Sequence, residues 1–186
     1  MLISPVAIGI IVAALVLIWL IAAFNGLVAL RNRVQNAWSQ IDVQLKRRHD
    51  LIPNLVETVR GYMQHESSVF DAVTEARAQA IVAGSNIPVR TAAESALSGA
   101  LGKLFAVAEN YPQLRAVENF QRLQEELTST ENRIAYSRQC YNDEVMKYNT
   151  AQSTFPRNLF VRMLGFSAAS MFAGMDADRA EVYVKL

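Results

Sequence analysis

Between Val6 and Phe24 the chain reads VAIGIIVAALVLIWLIAAF, 19 residues without a charged or hydrogen-bonding polar side chain beyond the Trp19 indole. As a helix this run rises about 28 Å, close to the ~30 Å hydrocarbon core of a bilayer. It lacks the polar face of a helix lying on a globular core. Trp19 and Phe24 fall near one edge, where aromatic rings collect at the membrane–water boundary. A cleaved secretory signal would carry a shorter run, about 7 to 15 residues, preceded by basic side chains. Met1 to Pro5 contains none, and no cysteine follows the run for lipid attachment. The sequence therefore predicts one spanning helix, with the lipid bilayer as its first partner. Arg31 and Arg33 follow the span, Lys46, Arg47 and Arg48 lie farther on, and no basic side chain precedes it. The excess of positive charge predicts an outside amino terminus and places residues 31–186 in the cytoplasm, on the inner face of the cell membrane.

Composition sharpens the division. Residues 1–30 carry no charged side chain, so all 18 Lys+Arg and 17 Asp+Glu belong to the rest of the chain. A net charge of +1 leaves no global basic footprint, and no nucleic-acid partner is expected. One cysteine, Cys140, excludes an intrachain disulfide framework and a multi-cysteine zinc site.

After the span, apolar residues fall at Leu27, Leu30, Val34, Trp38, Ile41 and Leu45, and resume at Ile52, Leu55 or Val56, Val59 and Tyr62 or Met63. Steps of three and four define one buried helical stripe. Only Asn25-Gly26 stands between span and stripe, so the two can form one rod. Pro53 should kink it, lacking an N–H and clashing with the preceding turn. The signal weakens over Gly61 to Ser68, where Ser68 to Asp71 resembles a cap opening a second helix. Phe70, Val73, Ala76, Ala80 and Ala83 continue it. Gly84 to Pro88 reads as a loop, and Thr91-Ala-Ala-Glu94 as a capping box ahead of Ala93, Leu97, Ala100 or Leu101, Leu104 and Ala108. Asn110-Tyr111-Pro112 stops that helix and starts a last stripe from Leu114 through Phe120, Leu127, Ile134 and Val145 to Tyr148. The predicted fold class is all-α: an N-terminal single transmembrane helix followed by an elongated up-down-up, antiparallel three-helix bundle of coiled-coil character with a broken second helix. The expected divisions are residues 1–30 as anchor, 31–154 as helical bundle, and 155–186 as an apolar C-terminal segment and tail.

Within 155–175 the residues Phe155, Leu159, Phe160, Met163, Phe166 and Phe172 crowd together. Two readings stand: the segment folds back to close one end of the bundle, or it forms an interfacial or oligomer contact. An up-down-up course would end the last rod away from the membrane, against lipid contact. Asp176 to Leu186 suggests no more than a short helix or ordered tail.

The search for chemistry returns little. His49 and His65 lie about 24 Å apart on a straight helix, too far to share a metal. Cys140 sits in mid-helix with no histidine near it in sequence. Gly99-Ala-Leu-Gly102-Lys103 resembles a phosphate loop but lacks the required earlier glycine and the hydroxyl after the lysine, Leu104 standing there. Glu125, Glu126 and Glu131 are spaced as a solvated face. Arg31 and Arg33, about 10 Å beyond the core, are the lipid-facing pair, while the Lys46–Arg48 cluster stands roughly 33 Å out. Arg47 and Arg48 are then surface charges or partners for glutamates on a neighbouring rod. Asn132, Arg133, Asn142 and Asn149 could form a buried network fixing helix register. No catalytic, cofactor-binding or metal residue is assigned, and neither cofactor nor small-molecule substrate is expected.

The stretch Val34 to Glu66, VQNAWSQIDVQLKRRHDLIPNLVETVRGYMQHE, resembles the signature of the LemA family. Asn132-Arg133-Ile134, Tyr141-Asn142-Asp143, Tyr148-Asn149-Thr150 and Phe155-Pro156 are similar to its second block. The resemblance covers essentially the whole chain and is weakest over residues 84–112. It implies a membrane-anchored, elongated helical protein of bacteria, without an established reaction, in a family that includes a relative implicated in forming magnetosome membranes. Family genes often neighbour membrane proteases, which makes such a protease a candidate partner. Some relatives begin with a lipoprotein signal, which would put their bundle outside the cytoplasm; this chain departs from them in having a full span and no suitable cysteine. Together these readings predict a single-pass scaffold, not an enzyme, acting by self-assembly as a homo-oligomer or by docking a membrane partner. The alternative is an adaptor or sensor regulating a membrane protease or signalling enzyme.

Overall fold

The computed structural model describes residues 5–172, and among these every regular element is helical. Helix α1 runs Pro5–Arg60, α2 Ser67–Val82, α3 Ile87–Ala108, α4 Pro112–Arg115 and α5 Glu118–Ser153, with a 3-10 turn at Arg157–Leu159. The end of the 155–175 segment, residues 173–175, and the expectation for Asp176 to Leu186 lie outside the described residues. The apolar run and the first stripe form a single helix of 56 residues, unbroken at Asn25-Gly26. Pro53 stays inside α1, which continues to Arg60.

Two expected caps are replaced. α2 begins at Ser67 after Glu66, and no side chain caps it. α3 begins at Ile87, four residues before Thr91, with Pro88 in its first turn, where a missing N–H costs nothing. Its cap is Asn86, whose Oδ1 accepts the N–H of Val89 at 3.3 Å. Thr91 therefore lies within the helix, its hydroxyl donating to the Ile87 carbonyl at 2.8 Å. Asn86 won because an Asx side chain just before a proline-led turn is the stronger start signal. Glu94, read as part of the capping box, is left free for another role.

The described chain packs as two units, residues 40–138 with Met171 and Phe172, and residues 5–39 with 139–170. In the first, α2 and α3 lie against each other as an antiparallel pair, with Ala72, Ala76, Ala96 and Gly99 among the residues lining a shallow groove. The middle rod of the sequence reading is thus a hairpin of two helices, folded at residues 83–86, rather than one helix with a break. α3 runs parallel to α1, Asp42 pairing with Arg90 and Arg48 with Glu94. The core joins Ile52, Leu55 and Val59 of α1, Phe70 and Val73 of α2, Leu97 and Leu104 of α3, Leu114 of α4, and Phe120 and Leu127 of α5. Burying each large aliphatic side chain contributes about 1.5–3 kcal/mol, which holds short helices such as α2 that are marginal alone.

In the second unit the start of α1 and the end of α5 run antiparallel. Trp38 meets Tyr141 edge-on at 5.5 Å, and farther down the Arg157 guanidinium comes within 3.9 Å of where a Cβ at Gly26 would stand. The added turn at residues 83–86 changes the parity of the chain, so α5 returns toward the apolar run instead of ending away from it. Beyond α5 the segment 155–170 packs on that run: Phe160 lies edge-on to Trp19 at 6.3 Å, and Phe166 to Phe24 at 5.6 Å. Val161 and Phe166 are buried there.

Candidate functional site

The stripe of α1 has a gap. Leu45 and Ile52 are seven residues apart, and the positions that a regular stripe would fill between them are Arg48 and His49. Both are buried, Arg48 with 4% of its surface exposed. On α3 the series Glu94, Leu97, Leu101, Leu104, Ala108 shows Glu94 at a core position, 1% exposed. The helical period thus carries charge inward from two helices at one level of the unit.

Their arrangement is mutually satisfying. Arg48 Nη1 lies 3.4 Å from Glu94 Oε2 and 2.9 Å from Glu131 Oε2, and Nη2 donates to Ser98 Oγ at 2.8 Å. His49 Nε2 lies 2.9 Å from Glu94 Oε1. A carboxylate accepts and an imidazole N–H donates, so Nε2 carries the proton in this pair. Glu94 thereby bridges two cationic or donor groups with one oxygen each. Arg77 of α2 donates from Nε to the main-chain carbonyl of His49 at 2.7 Å. That carbonyl is the one whose helical donor would be residue 53, and Pro53 has none.

Arg138 completes the set. Burial holds its guanidinium below the usual arginine range, while Glu131 and Glu94 pull the other way. It stands 5.5 Å from the ring centre of Phe172. Beside the cluster is a cavity of about 300 Å³ lined by Arg48, Ser98, Thr128, Glu131 and Asn132. Buried ion pairs of this kind contribute register more than stability, because desolvation offsets much of the attraction. Chemically the cluster offers fixed charges and hydrogen bonds but no activated nucleophile.

Of the residues singled out in the sequence, Arg47 and Arg48 pair with glutamates on another helix, Arg47 reaching Glu126 at 3.7 Å. Glu131, read as part of a solvated face, turns one oxygen inward to Arg48. The four-residue network does not form as expected: Asn132 and Arg133 are exposed. Asn149 instead grips the main chain of Ala169 twice, donating from Nδ2 to its carbonyl and accepting its N–H, both at 2.9 Å. Gly99 to Lys103 lies inside α3, not in a loop. Cys140 is half-buried on α5. Among the described residues no three His, Cys, Asp or Glu side chains converge as a metal set. Glu94 and His49 were missed as a pair; the signal was charge on a core stripe.

Among the described residues, a helical fold with an exposed apolar N-terminal helix and a buried charge layer defines a class of helical proteins with one candidate membrane span. The LemA family model matches residues 37–186, and this chain belongs to the LemA family. Magnetosome proteins MamQ 1 and MamQ 2 of Paramagnetospirillum magneticum are each 26% identical to it over 178 residues, covering 82% of this chain and 65% of theirs. The chain therefore spans just under two thirds of the length of these relatives. Protein LemA of Metamycoplasma hominis is 26% identical over 162 residues, covering 85% of this chain and 72% of its own.

Proposed function

We propose that this protein is a single-pass membrane scaffold without catalytic activity: α1 crosses the bilayer, and the helical bundle lies on the cytoplasmic side. One observation carries the reading. Val6, Ile10, Leu15, Leu17, Ile18 and Ile21 are each more than half exposed around the helix, which continues without a break into the packed stripe. A helix apolar on every side and left uncovered needs a lipid solvent. The magnetosome names of its relatives support placement at a membrane. Function then lies in contacts made by the held helices, either with further copies or with a membrane partner such as a protease. Confinement to the membrane raises effective concentration, so weak lateral contacts suffice. Gly9 and Ala13 form a small-residue pair suited to a contact within the span.

Full-length protein in native membranes tests this. It should resist extraction by alkaline carbonate, and cross-linking should give a ladder of homo-oligomers. A polypeptide recovered in the aqueous fraction rejects the anchor. A single heterologous cross-linked band replaces the scaffold with an adaptor or sensor. A reporter fused at Leu186 and active only outside the cytoplasm reverses the orientation.

A further inference from the structure

The segment after α5 presents three large apolar side chains outward. Phe155 is 75% exposed, Leu159 60% and Met163 84%. In a segment whose Val161 and Phe166 are buried, this outward set is not a packing remainder at one position but a repeated choice over nine residues. Its depth is fixed by three contacts within the unit. The Arg157 guanidinium lies at Gly26, two residues past the end of the apolar run. Phe160 lies on Trp19, five residues inside that end, and Phe166 on Phe24, at the end itself. At ~1.5 Å per residue of α1, the chain goes down roughly 10 Å between Arg157 and Phe160 and comes back up by Phe166.

Most of the main chain at that depth is self-paired. Between Asn158 and Phe166 seven of the nine N–H groups, all but those of Arg162 and Met163, donate to carbonyls within residues 154–162. Backbone that enters a lipid interface must satisfy its own hydrogen bonds, since acyl chains offer none. Gly165, at φ +76, makes the left-handed turn that lets Phe166 rejoin α1. Arg157 and Arg162 lie on the same segment and can extend to phosphate groups while their stems stay in apolar surroundings.

We propose that residues 155–164 form a second bilayer contact, a re-entrant foot that seats Leu159 and Met163 among the upper, carbonyl-side parts of the acyl chains and Arg157 and Arg162 at phospholipid phosphates. The inference rests on the reading of α1 as a membrane span. Lipid is favoured over a second copy of the chain because the segment that carries the outward patch lies against the exposed apolar run of α1 through the Trp19–Phe160 contact.

Full-length protein carrying Cys140→Ser and one added cysteine, at Met163, Leu17 or Val82, is labelled with an environment-sensitive fluorophore. It is then reconstituted into vesicles of phosphatidylcholine and phosphatidylglycerol. Iodide reports water; a nitroxide near the carbonyl end of a lipid acyl chain reports the shallow core. The expected result is blue-shifted emission from Met163→Cys, quenching by the lipid nitroxide and loss of iodide quenching, as for Leu17→Cys, with Val82→Cys behaving oppositely. Leu159→Cys should repeat the result. Iodide access at Met163→Cys, with Leu17→Cys still quenched by lipid, overturns the foot and leaves the anchor standing. Shielding of Met163→Cys from both quenchers assigns the patch to a second copy and also overturns it. Absence of lipid quenching at Leu17→Cys removes the anchor and the foot together.

Discussion

Arg77 Nε donates to the main-chain carbonyl of His49 at 2.7 Å, the carbonyl that Pro53 leaves without a helical donor. A defect in one helix is thus repaired by a side chain of its neighbour, and the repair fixes α2 against α1 at the level of the buried charge layer. It also explains how α1 carries a proline in its interior and still continues to Arg60.

The first prediction is a double-mutant cycle. Arg77→Met should destabilise the full chain in detergent by about 1–3 kcal/mol, because a carbonyl is left unpaired. In a Pro53→Ala background residue 53 supplies the helical N–H, and the same change should cost less by about 1 kcal/mol or more. Equal costs in the two backgrounds, measured by denaturant unfolding, would show that Arg77 acts through packing alone.

A second prediction separates the two glutamates on Arg48. Glu94 is enclosed, and Glu94→Leu leaves His49 Nε2 without its acceptor and the buried Arg48 with only Ser98 and the half-exposed Glu131, so a loss of about 3–5 kcal/mol is expected. Glu131 keeps 46% of its side chain in water, and Glu131→Ala should cost under about 1 kcal/mol. Replacing Arg48, His49 and Glu94 together by apolar residues of similar volume should recover most of the Glu94→Leu loss. Comparable losses for the two single variants would remove the distinction.

The third concerns pH. Tyr111 donates its hydroxyl to Glu66 Oε1 at 3.2 Å. Withdrawal from water, then the Glu66 carboxylate, raises its phenol above the usual value of 10.0. A raised folded value stabilises fully below pH 10.0 and is lost as pH climbs through the folded value. Tyr111→Phe should therefore lose less thermal stability than the parent between moderately and strongly alkaline buffer. Tyr141 and Tyr148, both raised by burial, leave a residual slope in the same direction.

The fourth tests the grip of Asn149 on Ala169. Asn149→Ala removes two hydrogen bonds of about 1 kcal/mol each, so amide exchange at Ala169 should accelerate about tenfold or more. Exchange in α2 and α3 should not change. Unaltered exchange at Ala169 would show that aromatic packing alone holds the segment.

Much of this was legible in the sequence because it follows from local periodicity. The apolar run and the steps of three and four dictate helices, and 19 uninterrupted apolar residues dictate an uncovered one. The loop at Gly84 to Pro88 was visible too, but its sense was not. Whether a four-residue break bends a rod slightly or reverses it depends on what the two helices can bury against each other. That parity decided where α5 ends, and with it the surroundings of Phe160 and Phe166.

The sequence by itself determined that the chain is helical, while the burial of Arg48 and His49 between Leu45 and Ile52 came only with the structure. Only the tertiary structure decided that Glu94 meets Arg48 and His49, that Arg77 serves the carbonyl freed by Pro53, and that the last segment returns to Trp19. The reason is physical: hydrophobic period is a property of one helix, whereas charge pairing and chain direction are settled by the register between helices.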